Sequence, residues 1–267
     1  MYPDKFAYDW AKNVEALSAA FPVEKYKEVA NAAGITGSIF MEVDVNEEDQ
    51  LGEAQFFLKM SEDPANGIMG VIASGRPEKD GFSDYLDEIS HPALKGIRRV
   101  MHVFDKSPIG EILTQNVRIL AEKNLVFDIC ALPRQLPDMV SLVGQCSNTR
   151  FVLDHCGKPP ITSGDLSLWK KNIVEMASYD NVCCKVSGLV DLCSADRVNR
   201  VAVQPVFDHV LENFGSDRII FGGDWPICEL SSSLGDWVTI AGELVAPLSL
   251  DEKENFWSGN AIRTYNL

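Results

Sequence analysis

Ionisable groups become useful for chemistry when a strand carries them to one spot, and Phe151-Val152-Leu153-Asp154-His155-Cys156-Gly157-Lys158-Pro159 has that form: an apolar run ends in Asp, His and Lys before a turn. A second run, Arg218-Ile219-Ile220-Phe221-Gly222-Gly223-Asp224-Trp225-Pro226, delivers one carboxylate to its C-terminal tip. If the two tips face each other, Asp224 is a general base that takes a proton from water. His155 then binds or orients the electrophile or a metal. A lone carboxylate after Ile-Ile-Phe-Gly-Gly is poorly explained by packing, whereas His155 could also serve as a loop cap. Asp154 points to the opposite side of the strand from His155, so its expected partner is backbone of the next strand-helix unit. Of the neighbours Arg98 and Arg99 only one can face inward; Arg98 is expected there as a substrate-binding cation, with Lys158 as another. His102 stays open, and His91 and His209 read as structural or exposed. Ser187-Gly188 reads as a strand-end turn and not as a nucleophile, because no His is near in sequence and no Gly-x-Ser-x-Gly elbow occurs.

Apolar runs bounded by turn residues predict strands over 37–43, 67–73, 97–101, 125–130, 150–154, 182–186 and 218–221. Helical patterns lie between them at 23–33, 49–60, 83–89, 109–123, 166–178 and 201–214, and 249–267 reads as a closing helix capped by Asp251, with Phe256, Trp257, Ala261 and Ile262 on its buried side. Alternation of apolar strands and crossover helices predicts a parallel sheet covered on both faces. The fold class is therefore α/β, a TIM (β/α)8-type barrel, over a single domain of residues 1–267. Seven strands are one short of eight. Residues 2–17 start with loop chemistry, so the first strand is expected to be missing or truncated, lying upstream of Met1. In such a barrel the strand C-termini line the mouth, and they hold Glu42, Asp44, Arg98, Arg99, His102, Asp128, Asp154, His155, Lys158, Lys185, Ser187 and Asp224.

The net charge is −15, from 39 acidic against 24 basic residues, which opposes nucleic acid or an anionic membrane as partner. A small-molecule substrate is expected, and a homo-oligomer is compatible with the sequence. The seven cysteines, with Cys183 and Cys184 adjacent and no Cys-x-x-Cys, suit reduced buried thiols and a cytoplasmic location. No signal-like N-terminus and no run of about 18 apolar residues occurs. Glycine-rich phosphate loops and a His-x-x-x-His zinc helix are also absent.

Taken in order, Phe127-Asp128-Ile129, Val152 to Pro159, Val182-Cys183-Cys184-Lys185-Val186-Ser187-Gly188-Leu189, Phe214-Gly215-Ser216-Asp217-Arg218, Phe221 to Pro226 and Asn260-Ala261-Ile262-Arg263-Thr264-Tyr265 resemble the amidohydrolase-related family of TIM-barrel hydrolases, which includes sugar-acid lactonases and the pyrone-dicarboxylate lactonase. The resemblance spans nearly the whole chain. It implies a (β/α)8 barrel that hydrolyses a small sugar-acid or carboxylated lactone, with Asp224 as general base, His155 as the strand-end histidine and Arg98 on the substrate carboxylate or carbonyl. It also implies one divalent metal, zinc, on His155 and Asp224. The family's His-x-His pair at the end of the first strand is absent, so a metal-independent site is the competing expectation. Alternative readings are a metal-dependent nonoxidative decarboxylase of the same superfamily and a non-catalytic ligand-binding barrel.

Overall fold

In the computed structural model, which describes residues 1–193 and 199–267, seven parallel strands follow one another in sequence order. They are β1 (Ser38–Met41), β2 (Ile68–Ser74), β3 (Leu94–Val100), β4 (Val126–Cys130), β5 (Arg150–Leu153), β6 (Val182–Val186) and β7 (Ile219–Phe221). Helices α1 (Val23–Ala32), α2 (Gln50–Ser61), α3 (Phe82–Glu88), α4 (Glu111–Glu122), α5 (Leu136–Gln145), α6 (Ser167–Ala177), α7 (Arg200–Phe214) and α8 (Leu234–Val245) lie before, between and after the strands. A closing segment comprises α9 (Leu250–Glu254), a π-helical turn (Asn255–Gly259) and α10 (Asn260–Tyr265).

Strand alternation sorts the side chains into two cores. One set, including Val71, Ile97, Phe127, Ile129, Phe151, Leu153, Val182, Cys184 and Ile219, packs against the helices. The other set, Ile72, Val126, Val152 and Ile220, faces inward and meets Tyr265 from α10. The sheet is curled: on the inner face, Arg98 of β3 reaches both Glu42 after β1 and Asp154 after β5, and Lys185 of β6 reaches Asp128 of β4. Side chains two strands apart meet in this way only when a sheet bends around them. Within the described residues β1 and β7 do not pair with each other, and every residue of β1 is only half-buried.

Two helices emerge that the periodic patterns did not predict. The first turn of α5 holds Pro137, at a position where the missing N–H has no intrahelical partner to lose. The start of α8 is fixed by a capping box in which Ser233 Oγ accepts from the Asp236 N–H and Asp236 accepts from the Ser233 N–H. The expected Asp251 cap is corrected: Ser249 is the N-cap of α9, in a reciprocal box with Glu252, and Asp251 sits in the first turn. Phe256 is buried as expected, but Ile262 is exposed.

The first 21 residues fold over the rim as two short 3-10 turns, Asp9–Ala11 and Glu15–Leu17, and bury Met1, Tyr8, Ala11, Leu17 and Phe21 with Val45 in a small core of their own. Phe21 of this segment and Tyr26 of α1 pack on Trp225, with centroids 5.4 and 5.3 Å apart, so the loop after β7 rests on both. No helix among the described residues is long and apolar enough to cross a membrane.

Candidate active site

A cavity of about 380 Å³ opens at the C-terminal ends of the strands and runs along β1. Its polar end holds Glu42, Asp44, Arg98, His102, Cys130, His155, Lys158, Asp191 and Asp224; its apolar end includes Phe21, Tyr26, Phe40, Met41 and Trp225. The two strand tips singled out above do face each other: His155 Nδ1 lies 3.8 Å from Asp224 Oδ2.

Backbone conformation aims both groups. His155, Cys156 and Lys158 hold φ of 54°, 51° and 50°, and Asp224 holds 52° before a cis Trp225–Pro226 bond. Non-glycine residues enter this left-handed region at a cost of about 1–2 kcal/mol each, and such outliers gather at functional sites. Gly188, at φ +59°, forms the back of the site: a Cβ there would lie 2.6 Å from His155 Nδ1 and 2.9 Å from Asp224 Oδ2.

Burial, followed by repulsion from Asp191, pushes the Asp224 carboxyl up to about 7. Its side chain keeps 17 % of its surface exposed, enough for water to reach it. Burial lowers His155 to about 3 and His102 to about 4, so both imidazoles are neutral at neutral pH. His155 Nδ1 also lies 2.9 Å from Ser187 Oγ. The spacing of Ser187 two residues beyond Lys185 on a strand end was the available sign that it shares the inner face, yet it gave no hint of His155. A serine triad is still excluded by geometry, because Ser187 and Asp224 approach the same ring nitrogen, whereas a triad needs one on each.

Below the mouth runs a buried chain of charge. Arg98 Nε donates to Glu42 Oε1 at 2.6 Å, its Nη2 donates to the Glu42 carbonyl, and its Nη1 lies 3.6 Å from Asp154 Oδ2. Lys185 Nζ donates to Asp154 Oδ1 at 2.6 Å and to Asp128 Oδ1 at 2.7 Å, and the Tyr265 hydroxyl donates to the same Asp128 oxygen at 2.7 Å. The expected backbone partner of Asp154 is thus corrected, since the charge of Lys185 outcompetes it. Burial opposes ionisation of Asp154, yet Lys185 and Arg98 hold its carboxyl below the ordinary range. Asp128 is raised by burial to about 6, partly offset by Lys185. Burial opposes the Arg98 charge, and Glu42 and Asp154 outweigh it. Arg99 faces away from this interior, pairing with Glu78 at 2.6 Å and stacking on Phe104. Lys158 lines the cavity with no ion pair among the described residues. His91 and His209 lie outside the cavity, beside Glu62 and the Lys170 carbonyl.

Cys130, Asp154 and His155 offer ligand atoms that all lie within 4.8 Å of one another. Asp154, however, is engaged by two cations, Arg98 and Lys185. That leaves Cys130 and His155 of the cluster, fewer than the three protein ligands of a catalytic zinc.

A curled parallel sheet whose strand ends converge on a carboxylate, an imidazole and fixed cations has the build of a barrel hydrolase. The profile of the amidohydrolase family matches residues 4–267, and the chain belongs to that family; it is an enzyme, a hydrolase. It is 32% identical over 230 residues to an L-fucono-1,5-lactonase of Burkholderia multivorans, covering 80% of this chain and 77% of that protein. An L-fucono-1,5-lactonase of Burkholderia ambifaria is 29% identical over 194 residues, covering 70% and 67%. A crystal structure of a Burkholderia multivorans amidohydrolase with bound zinc superposes with a TM-score of 0.90 at 25% identity, over 98% of this chain and 96% of that one.

Proposed function

We propose that the protein hydrolyses the ring ester of a small lactone, with Asp224 as the general base. The observation that carries this reading is the Asp224 carboxyl itself, raised to about 7 and facing His155 across a cleft lined by Arg98 and Lys158. A base poised near the working pH removes a proton from water most effectively. Asp224 takes one proton from water as the oxygen bonds to the lactone carbonyl carbon. Negative charge gathers on the carbonyl oxygen, where Arg98, His155 and Lys158 act as donors held in place before the reaction starts. The ring C–O bond then breaks, and the proton on Asp224 passes to the departing ring oxygen to give the open hydroxy acid. The lactonase names of the two Burkholderia relatives support the same substrate class.

The clustered donors do not by themselves fit a resident metal, since Arg98 and Lys185 hold Asp154 and leave Cys130 and His155, so no step passes through one. β1 and β7 do not pair with each other among the described residues and β1 is only half-buried, which supports reading the fold as a (β/α)8-type barrel whose first strand is not among them. The same residues are read as one domain, acting on a small molecule in the cytoplasm.

The test is proton release from L-fucono-1,5-lactone and a panel of sugar and aromatic lactones. Turnover of at least one, lost in Asp224→Asn, is expected. Absence of turnover across the panel at high enzyme concentration would overturn the reading.

A further inference from the structure

Asp191 has no place in the mechanism above, and its position calls for one. After β6 the chain buries Leu189 and Val190 completely, which anchors the next residue against the cavity wall. Asp191 lines the same cavity as Asp224, close enough that its charge is the largest influence on Asp224 after burial. Its Oδ1 is buried and has no hydrogen-bond partner among the described residues. A buried acceptor left unpaired is costly, and a carboxylate more so. Fold stability therefore gains nothing from this oxygen, and a donor that arrives with the substrate would satisfy it.

The charges around it narrow what that substrate can be. Asp44, Asp191 and Asp224 present carboxylates to the cavity. On the cationic side, Arg98 is engaged by Glu42 and Asp154, which leaves Lys158 as the cavity cation without an ion pair among the described residues. Lys158 already serves the carbonyl oxygen in the mechanism above, so a carboxylate on the substrate would have to compete for it, settle beside Asp191 or displace one of the Arg98 partners. A hydroxyl group meets neither obstacle, because it donates to Oδ1 and carries no charge.

We propose that Asp191 is a specificity-determining residue that accepts a hydrogen bond from a substrate hydroxyl and makes the cleft select neutral, polyhydroxylated lactones over carboxylated ones. This rests on the lactonase reading of the site. A pocket built to bond a hydroxyl discriminates strongly against a substrate that lacks it, since its acceptor is then left unpaired.

The experiment compares kcat/KM for three lactones: L-fucono-1,5-lactone, the unsubstituted δ-valerolactone, and a lactone bearing a free carboxylate, each with the full chain and with Asp191→Asn and Asp191→Ala. For Asp191→Ala the ratio of L-fucono-1,5-lactone to δ-valerolactone is expected to fall about 10- to 100-fold, the range of a hydrogen bond to a charged group. Asp191→Asn keeps an acceptor and removes the charge. It should retain more of that ratio and raise the relative rate on the carboxylated lactone about tenfold. An equal loss on all three substrates would mark a purely structural residue and overturn the inference, as would unchanged ratios, while turnover by the parent protein upholds the lactonase reading. If the parent protein turns over none of the three lactones, nor any lactone of the wider panel, both fall together.

Discussion

Gly188 is the residue whose replacement tests the geometry most sharply. Its φ of +59° charges any other residue about 1–2 kcal/mol for the backbone alone. An alanine Cβ would also stand 2.6 Å from His155 Nδ1, where ordinary contact begins at 3.4 Å, so His155 must retreat by about 0.8 Å and Asp224, at 2.9 Å, by about 0.5 Å. Neither can move freely: His155 Nδ1 is 2.9 Å from Ser187 Oγ, and the Asp224 loop leans on Phe21 and Tyr26 through Trp225. A misplacement near 1 Å can cost about 10²-fold in rate, so Gly188→Ala is expected to lower kcat/KM about 10- to 100-fold. Gly164 supplies the control, since its φ is +75° and a Cβ there meets nothing within 4 Å. Gly164→Ala should lose a similar increment of stability, about 1–2 kcal/mol, and keep its kcat/KM. The assay pairs initial rates of lactone hydrolysis with thermal melts on both variants. Full activity in Gly188→Ala at unchanged Tm would refute the account of how His155 and Asp224 are held together.

Other consequences follow from the buried charges. The Glu53 carboxyl is raised to about 8, mainly by burial and then by Glu42, so the folded state holds a proton that the unfolded state has lost above about 4.5. Stability is then lost as pH rises from about 4.5 to 8, by up to about 5 kcal/mol; Glu53→Gln should flatten that loss in urea melts at pH 5 and 8.5, and parallel pH dependence in both proteins would contradict it. Lys185→Met leaves Asp128 and Asp154 buried without their shared cation and should cost about 3–5 kcal/mol in urea unfolding, whereas a loss below about 1 kcal/mol would show that the chain of charge is not stabilised as drawn. Exhaustive chelation should leave lactone turnover within about twofold, because Arg98 and Lys185 hold Asp154, one of the three clustered donors, and two are fewer than a catalytic zinc needs; loss of activity restored by zinc would overturn that.

What could be read from the chain beforehand divides along physical lines. Apolar runs such as Ile219-Ile220-Phe221 are continuous because both faces are covered, so the seven strands were legible. β3 starts earlier than predicted, at Leu94, because Lys95 and Gly96 interrupt the apolar run while the backbone stays paired. Alternation placed Arg98 inside and Arg99 outside. Partners were not legible: Ser187 and His155 are 32 positions apart, and Glu42 and Arg98 are 56. Such pairs are created by the curl of the sheet, which no local pattern encodes. Asp191 gave no signal at all, since a single carboxylate after Leu189-Val190 reads like any loop acid until its unpaired oxygen is seen facing the cleft.

The central claim, that Asp224 is the base of a lactone hydrolysis, is tested most directly by the pH dependence of kcat/KM for L-fucono-1,5-lactone, corrected for spontaneous opening and run beside Asp224→Asn. The base must be ionised to act, so kcat/KM should rise with pH through a limb near 7 and level off above it. Asp224→Asn should lose about 10²-fold or more and show no such limb. A variant that keeps both the rate and the limb would contradict the claim.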